Sequence, residues 1–211
     1  MRAHVHLPAL CAAALPCALA LCVMLGACSS GSASPSSATS AQAPSASGFD
    51  GAALPPGVLA PAFTLPDQTG RLVSLADYRG RVVVVAFVYS TCGAPCLVIA
   101  QQIRGALDEL STTVPVLLVS ADPPADTATH VKRFLARVSL NGRVDYLGGS
   151  TAQLRPVWRA FHVIPASAHR AAFARTASVF LIDRSGHERV IFQLEQLTPE
   201  ALAHDIRRLL G

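Results

Sequence analysis

Val82 to Tyr89 reads Val-Val-Val-Val-Ala-Phe-Val-Tyr, a largely β-branched run without a polar interruption. A strand with one wet face alternates apolar and polar residues, so an unbroken run predicts a strand covered on both faces. Ser90-Thr91-Cys92-Gly93-Ala94-Pro95-Cys96 follows, and there the period changes. Cys96, Ile99, Ala100, Ile103, Leu107 and Leu110 fall on one face of a helix. A buried strand ends, a short turn intervenes, and a helix begins with two cysteines at the junction.

The same reading extends in both directions. Residues 60–65 and 71–75 flank Pro66-Asp67-Gln68-Thr69-Gly70 and predict a hairpin ahead of the central strand. Thr113 to Ser120 predicts a second buried strand, with Pro115 an objection near its start. Asp122 and Asp126 are read as turn residues, Asp126 capping a helix from Thr127 to about Arg137. Residues 144–147 predict a short strand, 152–162 a helix, and 164–175 an irregular segment. Residues 178–183 and 189–194 predict two strands joined through residues 184–188, and 199–210 an amphipathic closing helix. The order β-β, β-α-β-α, α, β-β-α predicts an α/β, thioredoxin-like single domain with an N-terminal β-hairpin extension.

Before this domain the pattern is of another kind. Arg2 precedes an apolar stretch over 7–25, then Leu25-Gly26-Ala27-Cys28 and a polar tail. This resembles a bacterial lipoprotein signal over 1–27, with Cys28 lipidated; an ordinary cleaved signal or an uncleaved anchor is the alternative. Residues 28–57 are rich in Ser, Ala and Pro and lack apolar periodicity, which predicts a flexible tether, with the folded domain over 58–211. The expected place is an exported, membrane-anchored lipoprotein facing the periplasm or outer side. The formal charge of +4 is small and scattered and gives no argument for nucleic acid.

Six cysteines then sort themselves. Cys11, Cys17 and Cys22 leave with a signal, Cys28 carries lipid, and Cys92 and Cys96 remain as the thiols of the mature domain. The first turn of a helix carries unpaired N–H groups and the positive end of the dipole, which stabilises a thiolate. Thiols four residues apart on a helix are neighbours and suit either a disulfide or one soft metal ion. A structural disulfide or a pair of core thiols is the competing reading, although a short loop gains little from closure.

Four pieces carry a family resemblance. They are Phe87 to Cys92 with Cys96 after it, Val119 to Pro123 through Asp126-Thr127, Tyr146 to Ser150, and Thr176 to Asp183. With these the chain from about Leu59 to Leu210 resembles the SCO/SenC proteins, thioredoxin-like copper proteins of cytochrome c oxidase assembly. The resemblance implies copper held by two cysteines and a histidine, Cu(I) more readily than Cu(II) because thiolates are soft. It also implies thiol–disulfide exchange with a partner. Expected partners are the copper subunit of the oxidase or another periplasmic thiol or copper protein.

One position departs from the family. Arg175 stands where the family's metal histidine belongs, and a guanidinium offers no lone pair. Arg175 either stabilises a thiolate of the dithiol or points to solvent. His169, six residues upstream, is the candidate third copper ligand, with an exposed loop histidine as the alternative; His162 is a weaker candidate, and His187 reads as exposed in a turn.

The alternatives to copper handling are a metal-free thiol–disulfide oxidoreductase, in which Cys92 attacks and Cys96 resolves, and a redox sensor. A thioredoxin normally sets a cis-proline beside its dithiol, and Thr176-Ala177-Ser178 has none. A peroxidase of the peroxiredoxin kind places threonine three residues before its reactive cysteine; here those positions hold Tyr89 and Gly93.

Overall fold

The computed structural model describes residues 47–211. The signal, Cys28 and the tether as far as Ala46 lie outside the described residues. The central strand forms as the sequence dictates: β4, Val83–Val88, is buried at every residue. It pairs in parallel with β5, Val116–Ser120, and antiparallel with β7, Ser178–Ile182. β6, Asp145–Leu147, extends the parallel side, and β8, Glu188–Gln193, extends the antiparallel side. Pro115 ends up just before β5, where its carbonyl accepts from Val84 N–H, so the missing donor is never needed in the ladder.

Helices cover both faces. α1, Ala94–Glu109, buries Cys96, Ile99, Ala100, Ile103 and Ala106 and packs against α5, Pro199–Leu210. Their approach is close at Gly105, where a Cβ would lie 2.9 Å from the Pro199 ring. Elsewhere in the core Phe161, the C-cap of α3 (Thr151–Ala160), meets Phe87 and Phe180 at ring-centroid distances of 5.3 and 5.0 Å. Phe63 joins this aromatic cluster at 6.1 Å from Phe161. The predicted hairpin is present as β2, Thr64–Pro66, against β3, Leu72–Ser74, in a sheet of its own. α2, Ala128–Arg137, completes the thioredoxin-like arrangement.

Three expectations need correction. The tether expected to reach residue 57 is overtaken by the domain. Asp50 and Gly51 donate their backbone N–H groups to the two carboxylate oxygens of buried Asp205, each at 2.9 Å. β1, Ala52–Ala53, then pairs antiparallel with β8 and becomes the edge of a six-stranded sheet, order β1-β8-β7-β4-β5-β6. Backbone donors hold this segment, and side-chain periodicity does not report them. Next, residues 164–175 are not irregular throughout: α4, Arg170–Thr176, forms there with His169 as its N-cap. Finally, Thr127 rather than Asp126 caps α2, its hydroxyl accepting from His130 N–H.

Candidate thiol and metal site

The dithiol sits where β4 delivers the chain to α1. Pro95 occupies the first turn, where a missing N–H costs nothing. Gly93 is the N-cap and has no side chain to offer. Cys92 takes that role in part: its Sγ accepts from the backbone N–H of Cys96 at 3.3 Å. The two sulfurs are joined in a disulfide with a Cα–Cα separation of 5.7 Å. Cys92 is 5% exposed and Cys96 fully buried, so any partner sulfur reaches Cys92 first. The helix N-terminus then favours the Cys92 thiolate formed on reduction.

The turn itself is held from the loop that follows β5. Ser90 N–H donates to Asp126 Oδ1 at 2.6 Å, and Ser90 Oγ donates to the Ala125 carbonyl at 3.2 Å. The other oxygen of Asp126 accepts from Ser120 Oγ at 2.5 Å and from Tyr146 Oη at 2.7 Å. One carboxylate thus ties the dithiol turn to the C-terminal ends of β5 and β6. Burial, with the Asp126 charge beside it, pushes the Tyr146 hydroxyl well above its ordinary range. Burial also raises Asp122, helped by Asp126 and opposed by Arg170 and the Ala125 N–H. Sequence reasoning assigned Asp122 and Asp126 to turn and cap chemistry and missed this network. The available signal was a surplus: Thr127 alone caps the helix, which left Asp126 free for other work.

The other candidates are placed apart from the sulfurs. His169 caps α4, Nδ1 accepting from Ala172 N–H at 3.1 Å, so Nε2 is the nitrogen free for a metal. It is exposed, and no hydrogen bond joins it to Cys92 or Cys96 among the described residues. Phe173, two residues before Arg175, packs edge-on against Tyr89 at 5.4 Å, and the Tyr89 carbonyl accepts from Cys92 N–H. Residues two apart on a helix point to different sides, and exposed Arg175 lines a separate groove with His162 and Glu188. His187 is half-buried, 3.6 Å from Asp183. The junction therefore holds two sulfurs, joined as a disulfide and available as a pair of soft donors on reduction.

A family model described as SCO1/SenC matches residues 52–211. The chain belongs to the SCO1/SenC family. The match begins at residue 52, the first residue of β1. Among solved structures, ScoI of Bradyrhizobium japonicum with copper bound is 24% identical, covering 72% of this chain and 99% of that one, TM-score 0.54. BsSco, a member of the Sco family of cytochrome c oxidase assembly proteins in which a disulfide switch is identified, is 21% identical, covering 75% and 96%, TM-score 0.59. At these identities the likeness is one of fold. A putative peroxiredoxin of Mycobacterium tuberculosis is 46% identical over 77 residues, 36% of this chain and 49% of that protein. The SCO1/SenC chain thus spans about half the length of that curated relative.

Proposed function

We propose that this SCO1/SenC protein handles copper, or the thiols that receive copper, through Cys92 and Cys96 during assembly of the copper centre of cytochrome c oxidase. The observation that carries the reading is the junction itself, a disulfide across the first turn of α1 whose Cys92 keeps 5% exposure while Cys96 has none. Family membership and the copper-bound relative support it. Copper is cargo here. The reduced pair offers it two thiolates, and the free Nε2 of His169 is the third ligand we assign, reached by a swing of its segment toward the sulfurs from which it now stands apart. Arg175 takes no part in ligation. A lipid on Cys28 and the tether behind it would keep this chemistry at the outer face of a membrane.

The same pair performs thiol exchange. The Cys92 thiolate attacks a partner disulfide, forming a mixed disulfide and expelling one partner thiolate. Cys96 then loses its proton, attacks Cys92 Sγ, and expels the second partner thiolate. Two electrons pass to the partner and the Cys92–Cys96 bond re-forms. A metal-free oxidoreductase is the second reading, favoured by Arg175 in place of the family histidine.

The deciding experiment is an anaerobic Cu(I) titration of the reduced protein against a strong competing chelator, beside Cys92→Ala and His169→Ala. Stoichiometric binding lost in Cys92→Ala and weakened in His169→Ala is the expected result. Failure to compete with the chelator, together with a measurable dithiol–disulfide potential, overturns the copper reading and leaves thiol exchange.

A further inference from the structure

A second site lies away from the dithiol. A groove of about 320 Å³ is lined by Phe161, Phe180, Ile191, Glu188, His162 and Arg175, among others, with Val58, Leu59 and Pro61 along one side. Glu188 is 8% exposed, yet no hydrogen bond or ion pair reaches its side chain among the described residues. Neither of its oxygens is a fully enclosed atom lacking a partner, so the carboxylate opens into the groove; a charge there with little water and no protein partner gains from a cation. Its presence here is not an accident of an alternating strand. The β7–β8 ladder pairs Leu181 with Val190 but Ile182 with Glu188, a register shift that leaves Arg189 unopposed. Such a bulge re-aims the side chains beside it, and Glu188 lines the groove along with Ile191 and Gln193.

The surroundings say what would satisfy that carboxylate. Phe161 and Phe180 stand edge to face, 5.0 Å apart, in the same wall. Aromatic rings next to a buried carboxylate suit an organic cation with an apolar stem. The rim is apolar too. Of the four large apolar side chains exposed among the described residues, Val58 (36%) and Leu59 (65%) line the groove. A third, Ile164 (41%), is not part of the lining but is tied to it through its backbone, its N–H donating to the hydroxyl of Thr176 in the groove wall. Burial raises the Glu188 carboxyl, and nearby His162 opposes the rise. Arg175 is exposed and makes no ion pair with Glu188, so water screens its charge.

We propose that this groove receives a lysine or arginine side chain of a partner polypeptide, its cationic head against Glu188 and its apolar neighbours on Val58, Leu59 and Ile164. A polypeptide rather than a free amine is the occupant, because the apolar rim extends beyond what one basic side chain covers.

The test uses the full-length chain in detergent and a fluorescent peptide, Leu-Val-Arg-Val-Leu, read by anisotropy beside its citrulline counterpart, which keeps the shape and loses the charge. The arginine peptide is expected to bind about tenfold tighter, the scale of a charge-assisted pair. Glu188→Gln should abolish that preference, and Leu59→Ser should weaken both peptides alike. Should Glu188→Gln fail to fold, the wild-type preference and Leu59→Ser decide. Equal affinity for the two peptides overturns the proposal, as does a preference that survives in a folded Glu188→Gln. Displacement by N-acetylarginine methylamide as efficient as by unlabelled peptide overturns the polypeptide as occupant. The result is expected to be the same in Cys92→Ala, which separates this site from the copper and thiol chemistry.

Discussion

Asp126 holds the backbone N–H of Ser90 at 2.6 Å, two residues ahead of Cys92. The same carboxylate serves Ser120 and Tyr146, so removing it strands three donors at once. Asp126→Ala is expected to cost about 2–4 kcal/mol, since each abandoned buried donor loses its partner without regaining water. Asp126→Asn retains an acceptor for Ser90 and should recover part of the loss. Urea unfolding measures both; an alanine variant as stable as the wild type would remove Asp126 from its place as organiser of the turn.

The order of thiol reactivity follows from depth. After reduction, a limiting dose of iodoacetamide should label Cys92 ahead of Cys96, because Cys92 keeps 5% exposure and sits just before the helix N-terminus while Cys96 is fully enclosed. Peptide mapping of the labelled protein reads the outcome. Preferential labelling of Cys96 would contradict the assigned roles of attacking and resolving thiol.

The stretch the apolar pattern describes best is also the stretch that carries the chemistry. Val83–Val88 and the face of α1 could be read directly, because complete burial leaves an unbroken run and a helix leaves a period near 3.6. The positions of Cys92 and Cys96 followed from that reading. Asp126 could not be read this way: its value lies in meeting Ser90, thirty-six positions earlier in the chain, across two strands. β1 was invisible because Ala52 and Ala53 have little strand preference and are held by ladder bonds to β8 and the Asp205 carboxylate nearby. α4 was hidden for a third reason. It is a helix of seven residues with a histidine cap, too short to display a period.

Glu188 gives stability a pH dependence. Burial holds its folded-state pKa above the ordinary 4.5. As pH rises through that ordinary value the unfolded chain releases its proton while the folded protein keeps one. The unfolded state gains over that window, and stability falls until the folded carboxyl also ionises. Glu188→Gln should flatten this fall and leave the protein at least as stable as wild type near neutral pH. Thermal unfolding from about pH 4.5 to 7 checks it; an unchanged slope would mean that Glu188 is solvated as in the unfolded chain.

Gly51 is the tightest point of the N-terminal segment. A Cβ there would lie 2.5 Å from Val190 Cγ1 and 3.0 Å from the Phe192 ring. Gly51→Ala is expected to cost about 1–3 kcal/mol, the usual penalty of overpacking. The loss should be accompanied by faster amide exchange at Leu54, whose N–H donates to the Arg189 carbonyl, as β1 lifts from β8. Unchanged exchange would show that the segment shifts aside freely.

The attachment of β1 also settles how the domain bears tension. A pull on the chain from its N-terminal side arrives at Asp50 and Gly51, which are fastened to Asp205 of α5, and then at a two-residue ladder on the outermost strand. β8 and β7 stand between that edge and β4, which leads into the dithiol turn. The first element to yield is a short seam that can be peeled bond by bond and laid back down. Were the domain moored through its N-terminal side, as proposed above, the drag would fall on this seam before it reached the dithiol.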